Sequence, residues 1–265
     1  MEYFNQKQTD WRISQCCQWH DKTLAKRYNF GTTTKTYALK EGGKEKVQTK
    51  AIGNCKKLLD ALTTYFPTQP FNLRSFRISS EMFPCYTLEF TQDWYKEIWE
   101  EIETILAQAG EAAKRHSVRL SVHPGQYTVL ASNKPDVVSK SIEDLEYHAL
   151  YGSLMGLPAE DFSMNIHLQG LYGGKHEDGI KRFATHFPYL SDYAQGCLSV
   201  ENEDKPNMPA IEWLRLRELK LERKRSIGKL ETWITSPTQV TTSWKLSSHG
   251  EAYARCSTNH NPSTP

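Results

Sequence analysis

Long apolar runs are missing from this sequence. No stretch of about 18 consecutive apolar residues occurs, so no membrane-crossing helix is expected. The opening stretch MEYFNQKQTDW lacks the basic-then-apolar layout of a secretory signal. Cysteine is sparse, with six residues at positions 16, 17, 55, 85, 197 and 256. Adjacent Cys16 and Cys17 fit no zinc spacing, and the rest form no secreted disulfide framework, so reduced thiols in an intracellular protein are expected. An excess of one charge is also missing. The 33 Lys and Arg nearly balance 31 Asp and Glu, for a net charge of +2 and a pI near 8.1. That balance neither argues for nucleic-acid binding nor excludes it. What is present is an ordinary globular mixture, 38% hydrophobic and 24% charged over 265 residues. It suffices for one large α/β domain or two small ones.

The hydrophobic pattern falls into a rhythm. Residues 12–19 (RISQCCQW) read as a first short strand, and residues 20–50, polar and rich in Lys and Thr, as a long basic loop. Residues 50–65 suit a helix with Ile52, Leu58, Leu59 and Leu62 as its apolar set. Ser75 to Ser79 reads as a strand. Trp94 to Arg115 reads as a helix, with Ile98, Ile102, Ile105, Leu106, Ala109 and Ala113 at helical spacing. Val118 to His123 is a strand, and Pro135 or Asp136 opens a helix to about Met155 that Gly156 closes. Phe162 to His167 is a strand, 177–187 a weaker helix, and Cys197 to Asn202 a strand. Alternating strands and helices predict parallel βαβ units. After Met208 the rhythm stops. Residues 209–229 could form a helix of poor amphipathicity. From Glu231 the Ser- and Thr-rich chain is expected to be poorly ordered, with too little apolar surface to offset ordering entropy.

Three successive strands end in metal-ligand residue types: His123, His167 and Glu201. Parallel sheets bind ligands at the carboxyl ends of their strands. Neighbouring strands lie about 4.8 Å apart, so three such side chains at equivalent heights would meet around one cation. Two imidazoles and a carboxylate suit Zn, Mn or Fe(II). Any one of the three alone is better read as a hydrogen-bonded histidine or ion-paired glutamate; their shared position favours ligation. Gln126 and Tyr127 lie beyond the first of these strand ends, after the Pro124-Gly125 break. A base stacks on an aromatic ring for about 1–3 kcal/mol, and an amide can bond base edges exposed by unpairing. Packing of Tyr127 onto the top of the sheet is the alternative. His20, His116, His176 and His186 read as solvated, and His148 as a packing or capping residue.

These motifs resemble the UV damage endonucleases, a family of metal-dependent TIM barrels. The matching stretches are FRISSEMFP (76–84), RLSVHPGQY (119–127), SIEDLEYHA (141–149), NIHLQGLYGGK (165–175) and LSVENEDK (198–205), with CCQW near residue 18. The resemblance runs from about residue 12 to 208. It implies a (β/α) barrel and a cluster of divalent metals, usually manganese, with zinc, magnesium or cobalt as alternatives. It implies hydrolysis of the phosphodiester 5′ to a UV photoproduct in double-stranded DNA, which starts excision repair, and a soluble protein of the cytoplasm or nucleoid. Carried over, His123, His167 and Glu201 match one metal site, with Glu201 bridging to a second. Gln126 and Tyr127 match residues that probe the lesion. Lys175 would contact or support the phosphate, and is the candidate catalytic residue.

The chain departs from the pattern in two places. Leu88 stands where the family has a histidine. After Met208, no equivalents of the family's later ligands are found. Three further βα units would need roughly 90 residues, at ~30 each, and 57 follow Met208. The expected organisation is therefore a partial TIM-barrel domain over 1–208 and a divergent helix with a poorly ordered tail over 209–265. A shifted reading frame would produce such a segment. Incision is expected to be very weak or absent, and His249 and Glu251 are given no role. A degenerate relative that binds damaged DNA without cutting is the alternative. A sugar isomerase-like barrel is disfavoured by HPGQY and the YGGK and ENEDK motifs.

Overall fold

The structure is a computed structural model that describes residues 12–167, 172, 174, 176–201, 230–236 and 239–245. Its centre is a sheet of seven strands: β1 (Gln15–Cys16), β2 (Ser75–Ile78), β3 (Arg119–Val122), β4 (Phe162–Ile166), β5 (Leu198–Glu201), β6 (Leu230–Ser236) and β7 (Gln239–Lys245). The spatial order is β1-β2-β3-β4-β5-β7-β6. The first five strands are parallel and lie side by side in chain order. A doubly wound sheet reverses that order at a switch point, whereas a (β/α) barrel never does. The five strands are thus an arc of a TIM-barrel-like fold.

The arc's two faces differ in chemistry because side chains alternate along a strand. One face carries Phe76, Ile78, Leu120, Val122, Phe162 and Met164, all buried at 1% exposure or less. It packs on helices α3 (Gly43–Asp60), α5 (Trp99–Arg115) and α6 (Pro135–Leu154) in one continuous core. Ile102, Leu106 and Ala109 line the packed face of α5. Gly110 is required there, since a Cβ would sit 1.7 Å from the Met155 carbonyl oxygen. Gly156, at φ +60°, follows the end of α6, a left-handed position that glycine takes at least cost.

Several boundaries differ from the sequence reading. The first strand has only two residues, because Cys17 turns left-handed at φ 54°. The expected basic loop over 20–50 instead holds α1 (Lys22–Tyr28), α2 (Lys35–Ala38) and the first turns of α3. The Asp21 carboxylate starts α1 by accepting from the Thr23 and Leu24 N–H groups, at 3.0 and 2.9 Å. The helix expected over 94–115 is two, α4 (Gln92–Lys96) and α5, separated at Ile98 with φ −113°. α7 (His176–His186) and α8 (Asp192–Cys197) follow β4.

Within the tail expected to be poorly ordered, β6 and β7 form an antiparallel hairpin, and β7 pairs antiparallel with β5. Thr232, Ile234, Thr235, Val240, Thr241 and Thr242 give both strands the β-branched content that suits a pleated surface. The helix expected over 209–229 lies outside the described residues. No described cysteine is in a disulfide, and burial pushes the Cys55 thiol up to about 12, so it stays an inert thiol. Among the described residues, no helix is long and apolar enough to cross a membrane.

Candidate active site

The second face of the arc is polar. Ser75, Ser121, Ser163, Asn165 and Ser199 are all buried there. Buried polar groups tend to find partners, and Ser163, Asn165 and Ser199 find each other. Ser163 Oγ lies 3.1 Å from Ser199 Oγ, and Ser199 Oγ lies 3.2 Å from the Asn165 side-chain oxygen. His123 is two residues beyond Ser121, and His167 two beyond Asn165, so alternation places both on this face at the strand ends. Their rings are 5.1 Å apart and meet edge to face at 60°. His123 follows the last residue of β3, and its Nδ1 sits 2.9 Å from the Pro124 carbonyl oxygen. A carbonyl can only accept, so Nδ1 carries the hydrogen, which in the neutral ring leaves the lone pair on Nε2.

Glu201 ends β5. Ile166 pairs with Val200, so the next residues, His167 and Glu201, are in step. The Glu201 side chain, and Lys175 altogether, lie outside the described residues. Among the described residues no group of three His, Cys, Asp or Glu side chains is placed to share an ion. The pair His123 and His167 is what the structure brings together. Leu88 is half-buried in the loop after β2, where its N–H donates to the Cys85 carbonyl at 3.0 Å.

The Gln126–Tyr127 turn stands on the same rim. Thr128 N–H donates to the Gly125 carbonyl at 3.0 Å, which makes Gln126 and Tyr127 the two central residues of a β-turn. Both project outward, and Tyr127 is 83% exposed, so it does not pack onto the sheet. The next two residues are tied to α6. The Thr128 hydroxyl donates to the Asp144 carboxylate, and Val129 N–H donates to Ser141 Oγ at 2.8 Å. Burial pushes the Asp144 carboxyl up, but the hydrogen bond and charge of His148 and the bond from Thr128 outweigh it and hold the carboxyl below its usual range.

His148 is buried, as a packing residue should be. Its Nε2 lies 2.8 Å from Ser80 Oγ and its Nδ1 lies 2.7 Å from the Asp144 carbonyl oxygen. Tyr147 and Tyr151 also donate to the Ser80 carbonyl, at 2.9 and 3.2 Å, and burial raises both phenols well above their usual values. The loop after β2 and the turn after β3 are therefore fastened to one helix. Sequence reasoning missed Thr128, Asp144 and Ser80. The i,i+4 spacing of Asp144 and His148 was the available signal. His186, expected to be solvated, is half-buried, with Nδ1 at 2.6 Å from the Leu130 carbonyl oxygen.

An arc of parallel strands with paired imidazoles at its carboxyl ends defines a TIM-barrel-like α/β protein with its candidate site on the strand-end rim. The model of the family described as UV-endonuclease UvdE matches residues 18–218, and the chain belongs to that family. The UV DNA damage endonuclease of Nostoc sp. is 35% identical over 186 residues, which cover 69% of this chain and 54% of the relative. The UV-damage endonuclease of Schizosaccharomyces pombe is 32% identical over 193 residues, covering 69% of this chain and 30% of the relative. The chain thus spans about half or less of the length of these relatives. Among solved structures, the crystal structure of SacUVDE matches with a TM-score of 0.64 at 28% identity, covering 79% of this chain and 66% of the other.

Proposed function

We propose that the chain is a metal-dependent DNA repair endonuclease that hydrolyses the phosphodiester 5′ to a UV photoproduct in double-stranded DNA. One observation carries this reading: the facing imidazoles of His123 and His167, 5.1 Å apart on a polar sheet face, with the exposed Gln126–Tyr127 turn on the same rim. The donor set fits a divalent cation. His123 presents Nε2 once Nδ1 is committed to Pro124, and a backbone partner of this kind orients metal-binding histidines in general. His167 and Glu201 would complete one site, and the proposed ion is manganese, with zinc, magnesium and cobalt as the alternatives. A bound divalent ion supplies Lewis acidity for phosphoryl transfer to water. Tyr127 would stack on a base exposed at the lesion and Gln126 would bond its edge. Lys175 would neutralise a phosphate oxygen.

A second reading, damaged-DNA binding without cutting, is favoured by Leu88 and by the antiparallel pairing of β7 on β5. A labelled duplex with one photoproduct distinguishes the two. We expect slow incision, dependent on manganese, abolished by EDTA, with a product length that maps the cut to the 5′ side. Metal analysis should show less bound ion in a His123→Ala/His167→Ala double variant. Incision that ignores the photoproduct or survives EDTA would overturn the first reading, and lesion-selective binding with no product would establish the second.

A further inference from the structure

Positive charge is concentrated in one region that the site does not use. Residues 20–60 hold ten Lys and Arg against four Asp and Glu, a net +6 in a chain of net +2. Much of this charge lies in the connection from β1 to α3. That connection leaves the carboxyl end of its strand, as do the loops carrying His123 and Tyr127, so it stands on the same rim.

Its placement is enforced by Asn54, which is buried on α3. The Asn54 side-chain oxygen accepts from Gly31 N–H at 2.7 Å. Its Nδ2 donates to the carbonyls of Gly31 and Glu81 at 2.9 Å each. The basic connection is thereby fastened to the loop after β2. In rim order the connection after β1, the loop after β2 and the turn after β3 stand side by side, as their strands do.

On this connection Tyr37 is 54% and Leu39 63% exposed. The Lys40 ammonium sits 4.4 Å and the Lys46 ammonium 6.0 Å from the centre of the Tyr37 ring. Nearby lysines are engaged: Lys44 pairs with Glu97 at 2.6 Å and Lys56 with Glu101 at 2.9 Å. Among the described residues no ion pair engages Lys35, Lys40 or Lys46, although exposed Glu41 and Glu45 share the stretch. The ring does not neutralise either ammonium, and a phosphate brought to either one gains charge-assisted hydrogen bonds.

We propose that this connection and the first turn of α3 form a second DNA-contacting surface, on which Lys35, Lys40 and Lys46 hold backbone phosphates of the duplex beside the lesion. It rests on the reading of the chain as a protein of UV-damaged DNA, and it adds affinity without lesion preference, because phosphate contacts position while base contacts specify. Tyr37 gathers Lys40 and Lys46.

The test is the salt dependence of binding by the full chain to irradiated and unirradiated duplexes. Each phosphate contact contributes about 0.9 to the slope of log K against log salt. The Lys35→Ala/Lys40→Ala/Lys46→Ala variant should lose up to ~3 from that slope. It should weaken on both duplexes by the same factor and melt as the parent does. The corresponding triple arginine variant should keep the slope. Arg115→Ala, at the opposite end of the strands, should change nothing. An unchanged slope in the alanine variant, or a parent that binds neither duplex, overturns the proposal. A parent that binds both duplexes equally, with a slope the alanine variant lowers, would overturn the lesion-recognition reading and leave this surface standing.

Discussion

The two faces of the five-stranded arc are built from the same few residues of chain and serve opposite ends. On one, Phe76, Leu120, Phe162 and their neighbours are packed against α3, α5 and α6. On the other, serines and an asparagine bond each other below two facing histidines. Alternation along each strand separates the two kinds of residue. A site can therefore sit one residue away from the core without weakening it. The polar face contributes little burial energy but holds its imidazoles on strands that the apolar face makes rigid.

Phe162→Ala breaks the comparison most severely. It removes a fully buried ring, and the expected loss is about 3–5 kcal/mol of stability, measured by denaturant unfolding. His123→Ala should do the reverse. We expect incision to fall by about 100-fold or more, worth ~2.7 kcal/mol in barrier, while the melting temperature stays near that of the parent. Comparable instability in both variants would erase the distinction between the faces.

Smaller effects sharpen it. Tyr127→Ala should weaken binding to an irradiated duplex by about 1–3 kcal/mol, the worth of one stacked base, with metal content unchanged. Loss of metal from that variant would show that turn and imidazoles are not separate devices. Asp144→Asn should loosen the turn and lower lesion preference, with a stability cost of about 1–2 kcal/mol from one charge-assisted hydrogen bond near the surface. Because the folded protein depresses the Asp144 carboxyl, its contribution is complete above the ordinary carboxylate value near 4 and is lost as pH falls through the depressed value. The parent should therefore lose more stability than Asp144→Asn on acidification below about pH 4. Ser199→Ala, a buried hydroxyl with a serine partner, should cost only about 1 kcal/mol.

The parallel arc was legible because its strands are short apolar runs between amphipathic helices, and α5 and α6 because their periodicity is long. The helices at 22–28 and 35–38 and the first turns of α3 were not, although the rest of α3 was read as a helix from residue 50. Each of these stretches buries few residues, Tyr28 in α1, Ala38 in α2 and Gly43 and Val47 at the start of α3, and these sit among lysines, so tertiary packing decides what propensity does not. The β6–β7 hairpin was hidden because its threonines read equally well as a polar loop. His123, His167, Gln126 and Tyr127 stood out because strand-end position and residue chemistry coincide. Thr128, Asp144 and Ser80 did not, since each acquires its role from a partner on another element.

The proposed function assigns damage-dependent cutting to the imidazole pair. The most direct measurement is nicking of supercoiled plasmid, irradiated or not, by the purified 265-residue chain with manganese or with EDTA. We expect slow conversion of irradiated plasmid to the open circle with manganese, none with EDTA, none on unirradiated plasmid, and none by His123→Ala/His167→Ala. Equal nicking of both plasmids, or undiminished nicking by the double variant, would contradict it.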